Sequence, residues 1–335
     1  MKKQLKGSLF LLLATVIWGS AFVAQSAGMD LIEPFTFQTI RCFLAVAALL
    51  PIIYIFDGKG RKHYFRKWAD KKLWKTGIIC GGALFIATSL QQIGLVYTDA
   101  GKAGFITAMY IVIVPILGLF FKNKPSAITV ISILLATVGL YLLSCVGVSR
   151  INIGDMLIAG CAVAFAVQIT FVDRYAAEVD SLRLNCIQAF IVAVLSAIFM
   201  FFTEAPKLEP VLNCWLPLCY AGILSMGAAY SLQIMGQKSL EPTAASLIMS
   251  LESVFAVLSA WLILNERLTL WETLGCGLLF LSVILSQLQP HKKRAKQVPP
   301  PLDAPAFLSD LLLRIFFILI LLPANMAVIK PSHHT

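Results

Sequence analysis

SLESVFAVLSAWLIL, Ser250 to Leu264, runs fifteen residues with one ionisable side chain, Glu252, among apolar and small neighbours. A surface helix spreads charges along a whole face, and a soluble core rarely buries an acid alone. What surrounds this segment decides what the acid means. The 335 residues are 59% hydrophobic and 13% charged, with a mean hydropathy of +0.84, well outside the range of a soluble domain. The chain reads as an all-α polytopic membrane protein.

Apolar runs of about 20 residues, long enough to cross ~30 Å of hydrocarbon as helix, fall at 8–27, 34–55, 77–97, 101–121, 126–147, 154–172, 184–203, 213–236, 243–264 and 269–288. Pro34, Pro125 and Pro242 sit where helices should begin, where a missing N–H is harmless. The connections leave no room for a separate soluble domain. With a cytoplasmic N-terminus, twenty Lys or Arg flank the spans on that side: Lys2, Lys3, Lys6, eight between Asp57 and Gly77, Lys122, Lys124, Arg174, Arg183, Lys238 and the four of HKKRAK. Only Lys102, Arg150, Lys207 and Arg267 flank them on the other. This imbalance places the N-terminus and the end of the tenth span in the cytoplasm and the chain in the cell (inner) membrane. The formal charge of +10 follows from it, and basic residues beside spans, without interleaved aromatics, argue against nucleic-acid binding. MKKQLK with the apolar run after it has some look of a signal peptide, but an uncleaved first span fits the charge count more simply. The eight cysteines show no C-x-x-C pair and no nearby His, which implies packing rather than disulfides or metal.

An internal repeat is visible. GSLFLLLATVIWGSAFVAQSAG, from Gly7, can be laid over GDMLIAGCAVAFAVQITFVDRY, from Gly154, and AGFITAMYIVIVPILGLFF over AASLIMSLESVFAVLSAWLIL, at an offset near 140 residues. Five spans per half is an odd number, so the second copy enters the membrane upside down. Inverted repeats of this kind go with alternating access and a substrate site near the midplane. The division expected is 1–148 and 149–289 for the two five-helix repeats, and 290–335 for a basic, proline-rich connector and apolar tail.

The tract Ser250 to Ser286, with WGSAF at Trp18–Phe22, Pro34 followed by Arg41, and YTDAGKAGFIT at Tyr97–Thr107, resembles the EamA-type permeases of the drug/metabolite transporter superfamily. The resemblance covers residues 5–289 and implies ten helices in two inverted halves that move small metabolites. The chain departs from that pattern at Ser253, where the family has proline, at Asn265, where it has glycine, and at Asn123, where many members have an acid.

Glu252 is the tenth residue from Thr243, roughly 14 Å into its span at 1.5 Å per residue. An acid at that depth costs an estimated ~2.5–3.5 kcal/mol on insertion scales, so it should face helices or water rather than lipid. Ala245, Ala256 and Ser259 share its face and are small. Packing glue and contact with a transport pathway both fit. Arg41, roughly 10 Å from the outer end of its span by the same rise, either snorkels outward or serves the cavity, on a face with Pro34, Gln38, Ala45 and Ala48. Thr88 with Gln92, Thr107 with Tyr110, and Tyr230 with Gln233 and Gln237 recur at helical spacing. Together with Trp18 they suggest a pathway lined by aromatic and amide groups, suited to a zwitterionic or aromatic metabolite.

After HKKRAK, the proline-rich QVPPPLDAPA leads to an apolar stretch, 307–329, that reads as a helix lying along the inner surface more readily than an eleventh span. The leading class is a secondary transporter exporting amino acids or related compounds, coupled to a proton or a counter-substrate. A membrane-embedded enzyme or a channel is the alternative. Against an enzyme, the chain has no H-E-x-x-H and no G-x-S-x-G, and all four histidines fall outside the spans. Without a Walker A motif, ATP is not the driving force. No catalytic residue, metal ligand or cofactor is expected. The partners expected are a small-molecule substrate and the lipid bilayer; the sequence sets no oligomeric state.

Overall fold

The computed structural model describes residues 2–57, 61–120, 125–144, 152–264 and 269–287; the expected surface helix at 307–329 lies outside them. The described residues are helical, with no strand among them. The long helices are α1 (Lys2–Met29), α2 (Pro34–Asp57), α3 (Lys71–Gly94), α4 (Ala100–Phe120), α5 (Ala127–Ser144), α6 (Ile153–Tyr175), α7 (Ser181–Thr203), α8 (Trp215–Gln237), α9 (Pro242–Met249 continuing as Glu252–Leu264) and α10 (Leu270–Gln287). Eight are long and apolar enough to cross a membrane, and α5 and α10 are shorter apolar helices. Each coincides with an expected span. The ends differ where polar residues carry a helix beyond the hydrocarbon, as in α3, which starts six residues early with Asp70 accepting from the Lys72 N–H as its cap.

Helix contacts repeat between the halves. α1 packs on α8 and α9, and its counterpart α6 packs on α3 and α4; α3 lies against α7 as α8 lies against α2, and α2 meets α7 while α5 meets α10. The packing is equivalent down to single glycines. A Cβ at Gly236 would stand 2.6 Å from Leu11 Cγ and 2.9 Å from Gly7 O; at Gly94 it would stand 2.5 Å from Ile158 Cδ1 and 3.1 Å from Gly154 O. Gly222 closes likewise on Arg41 and Leu44, and Gly81 on Gln188 and Ile191. Lipid offers helices no hydrophobic reason to associate, so backbones brought together at small residues hold the bundle. An inverted two-fold arrangement is what these pairs describe.

Two faces can be named from the helix ends. On the near face lie the starts of α1 and α7 and the ends of α2 and α8. There Arg183 is paired to Asp57, Lys67 Nζ lies 2.7 Å from the same carboxylate, and Tyr64 and Trp68 flank the guanidinium at 5.5 Å each. On the far face Glu204, after the end of α7, accepts from the Phe35 and Thr36 N–H groups (2.8 and 2.6 Å) and from Thr36 Oγ1 (2.7 Å). An acid at the end of each helix thus ties the α2·α7 pair at both faces: Glu204 caps the start of α2, and Asp57 pairs with the Arg183 side chain in the first turn of α7, whose cap is Asp180. Also on the far face, Asp155 closes a capping box with Asn152, accepts from Thr98 and pairs with Lys102 at 2.6 Å, which ties the α3–α4 loop to the start of α6.

Candidate functional site

Three helices lose regular geometry in the middle of the bundle. α4 tightens at Met109, whose N–H reaches Ile106 O while its own carbonyl takes the Val112 N–H. α9 tightens at the equivalent place, with Leu251 N to Ile248 O and Ser253 N to Ser250 O, while Ser250 Oγ competes for Leu247 O. α8 widens into a π-helical stretch over Tyr220–Ala229. Tightened or widened turns inside a helix often mark hinges and functional sites, and interrupted helices border substrate sites in inverted-repeat transporters.

These irregularities surround a cavity between the halves. Its wall includes Trp18, Phe22, Gln25, Arg41, Gln91, Thr107, Tyr110, Phe165, Ser225, Tyr230, Gln233 and Glu252. Its water-sized room is about 30 Å³, enough for one or two water molecules and too small for a metabolite.

Seven of the nine residues expected from sequence meet here: Trp18, Arg41, Thr107, Tyr110, Tyr230, Gln233 and Glu252. Thr88 and Gln92 do not. Thr88 Oγ1 donates to Leu84 O in its own helix, and Gln92 Nε2 points to Met29 Sδ. The neighbouring Gln91 takes their place, donating to Thr107 Oγ1 at 3.3 Å. Gln25, Gln91 and Ser225 were not anticipated. Gln91 corresponds to Gln233 at the repeat offset, a signal the sequence held; Gln25 had none.

Glu252, 5% exposed, accepts from Tyr110 OH at 3.1 Å, and the next residue, Ser253, donates to Gly104 O at 3.0 Å. The departure from the family's proline therefore supplies a hydrogen bond between halves. Arg41, 3% exposed, does not snorkel: it donates to Gln25 Oε1 and, at 3.1 Å, to Gln38 Oε1, and Gln38 is held by Ser89 and Ser196. Among the described residues no ion pair joins Arg41 to Glu252. Tyr230 meets Trp18 edge to face at 5.0 Å. Trp18 Nε1 and Arg41 Nε are donors without a partner, and Gln233 Oε1 is an acceptor without one, all buried. Buried polar atoms rarely stay unmatched unless a guest or water meets them.

Comparison with known proteins agrees with this layout. The EamA-like transporter family matches residues 5–145 and again 152–288, one copy per half. An uncharacterized transporter of Archaeoglobus fulgidus is 36% identical over 288 residues, covering 86% of this chain and 87% of that one. The uncharacterized transporter YoaV of Bacillus subtilis is 24% identical over 292 residues, covering 84% and 97%. A protein of known crystal structure superposes with a TM-score of 0.71 at 18% identity over 84% of this chain and 97% of that one, a likeness of fold. Two family matches, two equivalent sets of helix contacts and a 36%-identical transporter converge, and the chain belongs to the EamA-like transporter family.

Proposed function

We propose that the protein is a secondary transporter that carries small zwitterionic metabolites, amino acids or close relatives, across the inner membrane by alternating access, and that it works as an exporter. One observation carries this reading: opposite charges, Arg41 and Glu252, stand on the wall of one cavity without pairing to each other. A solute carboxylate would be received by Arg41 and the unmatched Trp18 Nε1, both donors only. Its ammonium would be received by Glu252 and Gln233 Oε1, while Trp18, Tyr230 and Phe165 cover its apolar part. A charge at this depth must be met by a partner. Solute or proton serves for Glu252, which couples its neutralisation to closure of the cavity. None of these groups forms a nucleophile–base pair, which supports a carrier over an enzyme. The excess of Lys and Arg on the near face supports its assignment to the cytoplasm.

Flux of radiolabelled amino acids into proteoliposomes, with and without an imposed pH gradient, tests the reading. At least one should move with saturable kinetics; protein that is correctly inserted yet inert to all of them overturns the substrate class. For orientation, a periplasm-active reporter fused after Lys207 should be active and one fused after Lys67 silent. The reverse pattern would sink the cytoplasmic assignment.

A further inference from the structure

Beside the cavity and toward the near face, α6, α7 and α8 bury four glutamines, three of them hydrogen-bonded to one another. Gln233 Nε2 donates to Gln168 Oε1 at 3.2 Å, Gln168 Nε2 donates to Gln188 Oε1 at 3.3 Å, and Gln237 Nε2 reaches Ile169 O at 3.5 Å. None of the four is more than 2% exposed. Gln233 is on the cavity wall, and Gln237 is the last residue of α8, at the near face beside Lys238, whose Nζ is bound to Val179 O. Gln168 and Gln188 each lie roughly 10 Å from the near-face end of their helices, seven residues at the helical rise. Gln233 and Gln237, one turn apart on α8, thus run from the cavity wall to the near-face end of the helix, with Gln168 and Gln188 hydrogen-bonded beside Gln233.

These amides are incompletely satisfied. Gln188 Nε2 is a donor with no partner, and Gln233 Oε1 and Gln237 Oε1 are acceptors with none. Interhelical glue needs each amide matched to a neighbour, whereas here three of the four amides carry an unmatched group. Packing geometry places Arg41 in the first half where Gln188 stands in the second, since Gly222 closes on one as Gly81 closes on the other. At the repeat offset Gln168 and Gln237 face Ala21 and Leu95 in the first half. Of the four amides only Gln233 has an amide counterpart, Gln91, so the two-fold scaffold does not require the other three.

We propose that Gln168, Gln188, Gln233 and Gln237 line the near-face limb of the solute path, hydrated at rest, where amides offering both donors and acceptors pass a polar solute between the membrane face and the cavity. This rests on the transport reading for its solute. Neutral amides suit such a limb because they bind ammonium and carboxylate alike and hold neither as tightly as a fixed charge would.

The test is cysteine accessibility, which needs no knowledge of the solute. In a background freed of the eight native cysteines, the membrane-impermeant methanethiosulfonate ethylsulfonate is applied to vesicles of either orientation. Gln237→Cys and Gln188→Cys should react from the near face only. The control Val192→Cys, one turn further along α7 and fully buried among apolar groups, should react at least tenfold more slowly. Should Gln188→Cys fail to fold, Gln168→Cys on the facing helix serves in its place. Adding Gln168→Leu and Gln188→Leu to Gln233→Cys should slow near-face labelling at least tenfold. Gln188→Cys as inert as Val192→Cys in folded protein, or Gln233→Cys labelled equally fast with both leucines present, overturns the proposal. If these labelling results hold while no amino acid is transported, the limb stands and the solute class falls.

Discussion

Arg41 on α2 and Gln188 on α7 occupy equivalent places in the two halves, each beneath a glycine of the helix that crosses it, yet only the first is charged. The same contrast recurs at the faces. Lys102 and Asp155 form an ion pair across the halves on the far face, while the positions that answer to them at the repeat offset, Thr243 and Ser8, carry no charge. It recurs again in the backbone, since α8 is π-helical over Tyr220–Ala229 where its counterpart α3 is regular. Small residues, helix contacts, the tightened turns of α4 and α9 and the amides Gln91 and Gln233 are repeated; Arg41, Glu252, the Lys102–Asp155 pair, the amides Gln168, Gln188 and Gln237 and the π-helical stretch of α8 are not. A scaffold has to be symmetric for two inverted halves to exchange roles about a fixed site. A solute is not symmetric, and the groups that receive it need not be.

The polar ties at the two ends of the α2·α7 pair offer the largest effect by which to break this comparison. Arg183, 1% exposed, is paired to Asp57 on the near face. Arg183→Ala should destabilise by about 3 kcal/mol, toward the low end for breaking a buried pair because Lys67 still reaches Asp57. Thermal unfolding in detergent reads this, and adding Asp57→Asn should restore part of the loss. A loss below about 0.5 kcal/mol would class the pair with exposed salt bridges.

Next in size are the matched glycines. Gly94→Ala and Gly236→Ala each drive a methyl into the facing helix, at a cost of about 1–3 kcal/mol for overpacking, and the two costs should agree because the contacts do. If one substitution is free and the other severe, the halves are not packed equivalently.

The smallest effect concerns Glu204. Burial, the largest influence, and the nearby Glu33 push its carboxyl above the usual 4.5, while the hydrogen bonds from Phe35 and Thr36 pull the other way. An upward shift means that the fold favours the protonated acid, so the stability this group contributes is present at low pH and lost as pH rises above 4.5. Melting temperatures of the wild type and Glu204→Gln should diverge with rising pH, to the disadvantage of the wild type. A difference that is flat with pH, or that runs the other way, removes the titrating role.

How much of this could be read from the chain follows from the same division. Hydropathy runs mark helices because lipid demands them, and all ten emerged within a few residues. Glu252 and Arg41 were visible because a buried charge stands out against an apolar background. The choice of Gln92 over Gln91 failed for a physical reason. α3 is packed on nearly all sides, every residue from Ile79 to Gly94 being buried, so no lipid-facing stripe shows which way its polar residues turn. Adjacent residues on a helix point about 100° apart, and only the fold chooses between them. Gln25 escaped notice because its meaning comes from Arg41, on another helix. The π-helical turn of α8 leaves no periodic signature in so short a stretch.

The claim at the centre is that the Glu252 carboxyl, and not merely a side chain of its size, serves transport. Glu252→Gln keeps the shape and the hydrogen bond from Tyr110 but removes the charge and the titratable group. In proteoliposomes, with folding checked by thermal unfolding, the account predicts net solute flux reduced at least tenfold or no longer responsive to an imposed pH gradient. Flux at the wild-type rate with the same pH profile would contradict it and leave Glu252 as a packing residue between α4 and α9.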